Sequence, residues 1–144
     1  MKKRFIFFSI VLIVSFLLLT GCQNKLEELP DRPIVFRAGR LNVDNEDAYA
    51  TIEYNDKVYI IYGGIKAKGL LRDISYAFGD CLGYVEDDES TRIYALADEL
   101  TDEWLIEYYI DAIMENPVVL REITTKDNQE IPASVESFEY DYWK

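Results

Sequence analysis

Residues 48–62 read AYATIEYNDKVYIIY, and this stretch decides the fold. Two short runs rich in Tyr, Ile, Val and Thr, at 48–54 and 57–62, flank the pair Asn55-Asp56, which is typical of a two-residue hairpin turn. Along the second run, side chains alternate between two faces that are both apolar or amphipathic, as expected of a central strand. The stretch therefore predicts a β-hairpin in the middle of a sheet.

Further strand signals follow this hairpin along the chain. Gly63-Gly64 is expected to end its second strand. Residues 80–86 and 92–97 form a second candidate hairpin across the acidic residues 87–90. The remaining predicted features are a loop at 65–78 with one helical turn around 70–75, a strand at 118–124, and a tail at 126–144 that adds an edge strand or packs its rings on the barrel.

Residues 101–115 are compatible with either a helix or a strand. As a helix, they would place an acid every four residues on one stripe and apolar residues on the other, with Pro117 as a stop. Against the helix, residues 104–110 are mostly β-favouring, and like charges four residues apart repel each other. As a strand, the segment would pair with 118–124. We therefore predict a mainly β domain, a small barrel or curled antiparallel sheet, with an α+β domain carrying one helix near 101–115 as the alternative.

The composition excludes several classes of function. The chain has 144 residues with 15 Lys+Arg, 27 Asp+Glu, two cysteines and no histidine. Nucleic acid is a poor partner, because phosphate binding depends on clustered Lys and Arg. The absence of histidine removes Ser-His-Asp and Cys-His catalytic constellations and His-ligated zinc sites. The sequence therefore nominates no catalytic residue, no cofactor and no metal site, and it favours binding over enzyme activity.

The N-terminus has the layout of an export signal. Three basic residues at 2–4 precede an apolar-dominated run at 5–19. That run is shorter than the roughly 20 residues a spanning helix needs. It ends in the tetrapeptide Leu19-Thr20-Gly21-Cys22. Residues 1–22 thus resemble a bacterial lipoprotein precursor with its lipobox. The resemblance implies that residues 1–21 are a signal peptide, and that Cys22 becomes the lipid-carrying N-terminus, with acyl chains such as palmitate.

The predicted mature chain is small and strongly acidic. Removing residues 1–21 takes away three basic and no acidic side chains, leaving 123 residues with a net charge of −15. Residues 22–33 comprise the lipidated cysteine and a polar tether of at most about 40 Å, and residues 34–144 form one globular domain. This length is too short for the two-lobed clamshell of solute-capturing lipoproteins. The expected location is the cell membrane, lipid-anchored on the extracytoplasmic face, in the style of surface lipoproteins of low-GC Gram-positive bacteria.

Three groups of residues in the predicted domain could carry chemistry. Cys81 is a reactive thiol, a partner in an intermolecular disulfide or a small buried strand residue, and we favour the last. The lack of histidine argues against a papain-like nucleophile. The acidic clusters at 44–47 and 86–89 lack calcium-loop spacing and are interpreted as solvated turns. The tyrosines, all 11 of which follow Cys22, suit an acidic surface for cationic peptides or sugars, although Tyr is also a common strand residue. The predicted binding face consists of five aromatic residues: Tyr59, Tyr84, Tyr94, Trp104 and Tyr108.

The functional expectation combines the anchor with the charge of the domain. We predict a surface lipoprotein that acts as a binding or interaction module for cationic peptides or for an envelope partner. In size, anchor and charge the chain resembles the small lipoproteins that give producer bacteria immunity to cationic lantibiotics, without a shared motif. The alternative is a wall- or glycan-acting hydrolase that uses two carboxylates. With 27 acids in the chain, the sequence nominates no particular pair.

Overall fold

The computed structural model describes residues 28–43, 47–99, 101–111 and 116–144. The predicted signal peptide, Cys22 and the first part of the tether lie outside these residues. Within them, 28–33 form no strand or helix, and no α-helix occurs. Three single turns of 3₁₀ helix lie at Ser75–Ala77, Ile123–Thr125 and Asp141–Trp143. The eight strands are β1 Ile34–Val43, β2 Asp47–Tyr54, β3 Lys57–Ile65, β4 Phe78–Val85, β5 Asp88–Leu96, β6 Trp104–Tyr109, β7 Val118–Glu122 and β8 Val135–Ser137.

Seven of the strands close into a barrel. The order is β2-β1-β4-β5-β6-β7-β3, and the pairing of β3 with β2 completes the ring. All neighbours are antiparallel except β1 and β4, which run parallel with Ile34 opposite Gly83. The short strand β8 pairs with Gly63–Ile65 of β3, beyond the part of β3 that pairs with β2. The structure thus confirms the mainly β prediction, in its small-barrel form.

The segment at 101–115, which the sequence left open between helix and strand, contains a strand and no helix within its described residues 101–111. Trp104–Tyr109 is β6, paired with β7 so that Leu105 lies opposite Leu120. The helix alternative is wrong for β6, because both of its faces are buried, and a helix would have buried only one stripe. Residues 112–115 lie outside the described part.

One hydrophobic cluster fills the inside of the barrel. Each of the seven ring strands contributes one side chain to it, and these side chains are at most 7% exposed. Only the inside of a closed barrel is lined by side chains from all of its strands. The interior residues, in strand order from β1 to β7, are Phe36, Ile52, Tyr59, Val85, Ile93, Leu105 and Leu120.

A second cluster covers one outer side of the barrel. The side chains next to the interior positions on β3, β5, β6 and β7 point outward, and Ala77, Val135 and Trp143 pack over them. The predicted tail is confirmed in both of its forms: β8 is an edge strand, and the ring of Trp143 lies 5.6 Å from that of Tyr62. The buried outer residues are Tyr62, Ala77, Tyr94, Leu96, Trp104, Ile106, Val119 and Val135.

The turn geometry confirms the first predicted hairpin. The position of the second turn and the end of β3 differ from the prediction. Asn55 and Asp56 have φ values of 49° and 63°, the left-handed pair that a tight β-hairpin requires. The second hairpin turns more tightly than expected, at 86–87, so that β5 already begins at Asp88. Gly63-Gly64 does not end its strand. β3 runs on to Ile65, because the backbone of β8 approaches this glycine pair closely and pairs with it.

The predicted helical turn and the strand predicted at 118–124 have slightly different bounds in the structure. The helical turn between β3 and β4 lies at Ser75–Ala77 and not around 70–75. The strand predicted at 118–124 ends at Glu122, whose carboxylate accepts a hydrogen bond from the backbone N–H of Thr124 at 3.2 Å. This side-chain cap turns the chain into the following 3₁₀ turn.

Candidate functional site

The five aromatic residues predicted as a binding face do not share one surface. Tyr59 is 2% exposed inside the barrel, where its hydroxyl donates to the Asp102 carbonyl at 2.8 Å. Tyr94 and Trp104 are 1% and 2% exposed in the outer cluster. Tyr84 and Tyr108 remain half-buried. Burial raises the pKa of Tyr59 and of Tyr94. The physical reason is that ring closure and the outer cover bury both faces of the strands that carry these rings.

Cys81 lies on β4, half-buried against the outer cluster. Burial raises the pKa of its thiol, and the nearby positive charge of Arg92 offsets part of this effect. Arg92 itself is 7% exposed, and its Nε and Nη1 have no hydrogen-bond partner in the described structure. A thiol with a raised pKa stays protonated at neutral pH and is a weak nucleophile. These features favour the structural interpretation of Cys81.

Of the two acidic clusters singled out in the sequence, only the one at 86–89 lies wholly within the described residues, and its Asp88 carboxylate is hydrogen-bonded to neighbouring side chains. At the second hairpin, the carboxylate of Asp88 accepts hydrogen bonds from Ser90 and Thr91, which lower its pKa. Of the other cluster, residues 44–46 and the side chain of Asp47 lie outside the description. Across the described residues, no group of three or more potential ligand side chains is placed to hold a metal ion.

A different set of carboxylates is brought together by the fold. Asp98, Glu99 and Glu103 lie on the connection between β5 and β6, and Glu130 lies on the segment between β7 and β8. We call these four residues the acidic corner. Asp98 links the two segments, because its carboxylate accepts from the backbone N–H of Ser134 at 3.1 Å and from its hydroxyl at 2.8 Å.

The carboxylate of Glu99 is repelled by the other three acids of the corner. Burial, together with the charges of Asp98, Glu103 and Glu130, raises the pKa of Glu99. Three ion pairs occur among the described residues, Arg37–Glu53, Lys57–Asp102 and Asp141–Lys144, and none of them involves the corner. Glu103 acts electrostatically on the buried Arg121 beneath it. A cation arriving at this corner would therefore relieve the repulsion that the other three acids exert on Glu99.

A groove marks where the described chain begins. It lies between residues 28–31 and the start of β4, and Leu29, Phe78, Cys81 and Tyr94 line it. The groove shows that the first described residues rest against the 3₁₀ turn at Ser75–Ala77 and the first half of β4. The chain that leads towards Cys22 therefore leaves the domain at this end.

A scan against protein-family models found no match for this chain. Searches of curated proteins and of solved structures found none either. Within the described residues, no helix has the length and the apolar character needed to cross a bilayer. The function is therefore argued from the side chains of this chain and from their arrangement.

Sequence reasoning missed the acidic corner for a physical reason. The pairs Asp98-Glu99 and Asp102-Glu103 are visible in the sequence, but they lack the density of the acidic clusters at 44–47 and 86–89. Glu130 follows Glu99 by about 30 residues, and only the packing of the β7–β8 segment against the β5–β6 connection brings the two together.

Proposed function

We propose that this chain is a lipid-anchored extracytoplasmic protein, attached through Cys22, that binds a cationic ligand on an acidic surface. A cationic peptide or a basic segment of an envelope protein has the required chemistry. The single observation that carries the binding proposal is the acidic corner, four carboxylates brought together outside the ion pairs of the described structure. The anchor rests on the lipobox resemblance of residues 1–22.

The charge of the whole domain supports the same ligand class. The chain after residue 21 has a net charge of −15 with 12 basic side chains, of which Arg92 and Arg121 are buried and take no part in the surface charge. Such a field speeds the approach of cations and repels anions. The closed barrel holds the loops of the corner on a rigid frame, so that the carboxylates are positioned before the ligand arrives.

The binding proposal predicts a site-specific loss of affinity. The triple variant Glu99→Gln, Glu103→Gln, Glu130→Gln is expected to weaken binding of a lysine-rich probe peptide by roughly 3- to 100-fold, since each exposed charge contact is worth about 0.2–1 kcal/mol. Calorimetry at about 0.1 M salt measures this change. Binding by the unaltered protein should fall steeply as salt rises, because the Debye length shrinks from about 10 Å at 0.1 M to about 3 Å at 1 M.

The matched control removes the same charge elsewhere. Glu86→Gln, Asp87→Asn, Glu89→Gln changes three exposed acids at the second hairpin, and it is expected to weaken binding by less than about twofold, because the change in long-range field is screened. Equal losses in the two triple variants would show that net charge alone, and not the acidic corner, attracts the peptide. Salt-independent binding would contradict an electrostatic site altogether.

The anchor proposal predicts a change in mass and in membrane attachment. Cys22→Ala is expected to leave the unprocessed precursor or to release the protein from the membrane fraction, since the thioether to lipid can no longer form. Intact-mass spectrometry and fractionation measure this. The unaltered protein should carry a diacylglycerol on Cys22 and lack residues 1–21. An unmodified Cys22 in the unaltered protein would refute the anchor and leave the binding proposal to be judged separately.

A further inference from the structure

Two adjacent leucines project from the segment between β3 and β4. Leu70 and Leu71 are 102% and 95% exposed, whereas no other exposed large apolar side chain among the described residues exceeds 48%. Exposing two neighbouring leucines completely is costly in water, and a contiguous apolar projection on a soluble surface marks a contact site.

The two leucines sit on an ordered β-turn. Lys68 and Asp73 form a pair of backbone hydrogen bonds of 2.8 and 2.9 Å, and the N–H of Arg72 donates to the Gly69 carbonyl at 3.2 Å. Gly69 and Arg72 have φ values of 68° and 53°, the left-handed conformation that directs the turn. We call residues 69–72 the leucine tip. It is a hydrogen-bonded projection on which Leu70 and Leu71 are exposed.

The residues on either side of the leucine tip are bonded to the rest of the domain. The backbone N–H of Lys66 donates to the Ser134 carbonyl at 2.8 Å, and the Tyr76 hydroxyl donates to the Lys66 carbonyl at 2.6 Å. The ammonium of Lys68 lies 3.5 Å from the centre of the Tyr76 ring. The tip is therefore held away from the outer cluster by contacts on both sides of its base.

The charge around the leucine tip is opposite to that of the domain. Lys66, Lys68 and Arg72 lie on either side of the leucines in the chain, and residues 65–72 contain no acid. All three residues are exposed, although the ammonium of Lys66 donates to the Ala133 carbonyl at 3.2 Å and Arg72 lines a recess shared with Glu136. Asp73, the next residue, turns its carboxylate towards the N–H and hydroxyl of Ser75. Apolar side chains surrounded by Lys and Arg are complementary to an anionic phospholipid surface, where leucines enter the acyl boundary and cations meet phosphates.

The leucine tip lies at the end of the domain that leads to Cys22. The groove at residues 28–31 is shared with Ser75, two residues after the tip's closing pair Lys68–Asp73. Five residues separate Cys22 from Glu28, and the six steps of chain between the two Cα atoms span at most about 20 Å. A bilayer that holds Cys22 is therefore within reach of the tip. This step rests on the proposed anchor, whereas the exposure and the charge of the tip do not.

We propose that the leucine tip is a membrane-contact site, which inserts Leu70 and Leu71 into the surface of an anionic bilayer while Lys66, Lys68 and Arg72 bind lipid phosphates. The tip is a convex projection, and a deformable lipid surface accepts it without a preformed groove. Because the acidic body is repelled by the same surface, the contact is limited to the tip.

Depth-dependent fluorescence tests this proposal on the full chain. The variants Leu71→Trp and Glu89→Trp, the second at an exposed position on β5, are each reconstituted into vesicles of phosphatidylcholine and phosphatidylglycerol with brominated acyl chains. With the unaltered protein as the baseline for Trp104 and Trp143, the added emission of Leu71→Trp should shift to the blue and lose most of its intensity. The emission of Glu89→Trp should stay unquenched.

Further measurements distinguish lipid from other binding partners of the leucine tip. Quenching of Leu71→Trp should fall in vesicles of phosphatidylcholine alone, and also when Lys66, Lys68 and Arg72 are changed to Gln. Equal quenching in Leu71→Trp and Glu89→Trp overturns the proposal. It is also overturned if sedimentation in detergent shows a dimer that Leu70→Ser with Leu71→Ser converts to monomer, since a second copy would then cover the tip. The mass of Cys22 is read separately, so an unlipidated cysteine refutes the anchor and not the membrane contact.

Discussion

Gly63→Ala is expected to destabilise the domain by about 2–4 kcal/mol, whereas Gly64→Ala changes its stability by less than about 1 kcal/mol in either direction. A Cβ on Gly63 would lie 1.9 Å from the carbonyl oxygen of Glu136 on β8. That atom belongs to the backbone, so no change of rotamer relieves the overlap. To make room, β8 must leave β3 and expose Val135, which is 1% exposed in the folded domain.

The neighbouring glycine supplies the control for this prediction. A Cβ on Gly64 would lie 3.0 Å from the ring of Phe138, a side chain that is 48% exposed and can swing away. Both substitutions reduce the conformational entropy of the unfolded chain equally, so the difference between them isolates the contact with β8. Urea denaturation of the two variants measures it. Equal stabilities would show that the approach of β8 to Gly63 contributes little to the folded state.

Arg121→Ala is expected to lower the free energy of unfolding by about 3–5 kcal/mol. This is the second large effect on stability that we predict for this chain. The guanidinium is 4% exposed on β7 and lies 5.0–5.4 Å from the ring centres of Tyr62, Trp104 and Trp143. Its Nε donates to the Thr125 hydroxyl at 3.0 Å, and its Nη2 donates to the carbonyls of Thr125 and Asn128.

Through these contacts, Arg121 connects three parts of the domain. It connects β7 to the 3₁₀ turn and loop that follow, and to the tail that carries Trp143, whose indole N–H donates to the Ile61 carbonyl at 2.9 Å. Alanine would leave two carbonyls without their donor and three rings without their central cation.

The conservative variant separates charge from geometry. Arg121→Lys keeps the cation among the rings but not the planar fork of donors, so it should cost about 1–2 kcal/mol, less than Arg121→Ala. Thermal and urea unfolding measure both. If Arg121→Ala lowered the free energy of unfolding by less than about 1 kcal/mol, this side chain would not hold the three parts of the domain together.

The sequence predicted those parts of the fold that rest on local signals. The hairpin around Asn55-Asp56 follows from two residues that tolerate left-handed φ between β-favouring runs, and both properties are local. The strand at Trp104–Tyr109 was less certain, because periodicity does not separate a strand buried on both faces from a helix. The β-branched and aromatic content of its neighbours favoured the correct alternative.

The candidate site could be predicted only in part. The sequence indicated an acidic, tyrosine-bearing binding domain, yet it selected Tyr59, Tyr94 and Trp104, which the structure buries. A tyrosine in a strand has the same local pattern whether its ring faces solvent or a core, because its ring is apolar and its hydroxyl polar. Asp98, Glu99, Glu103 and Glu130 meet only after two distant segments pack together.

The amino-acid sequence by itself determined the strand content, the first turn, the acidic charge of the domain and the N-terminal pattern Leu19-Thr20-Gly21-Cys22 that resembles a lipobox. These are properties of single residues and of short spacings. Tertiary structure decided the parallel pairing of β1 with β4 within the barrel, the continuation of β3 through Gly63-Gly64, and the division of the core into an inside and an outside. Each of these depends on contacts between residues far apart in the chain, whose free energy exists only once the whole ring has formed.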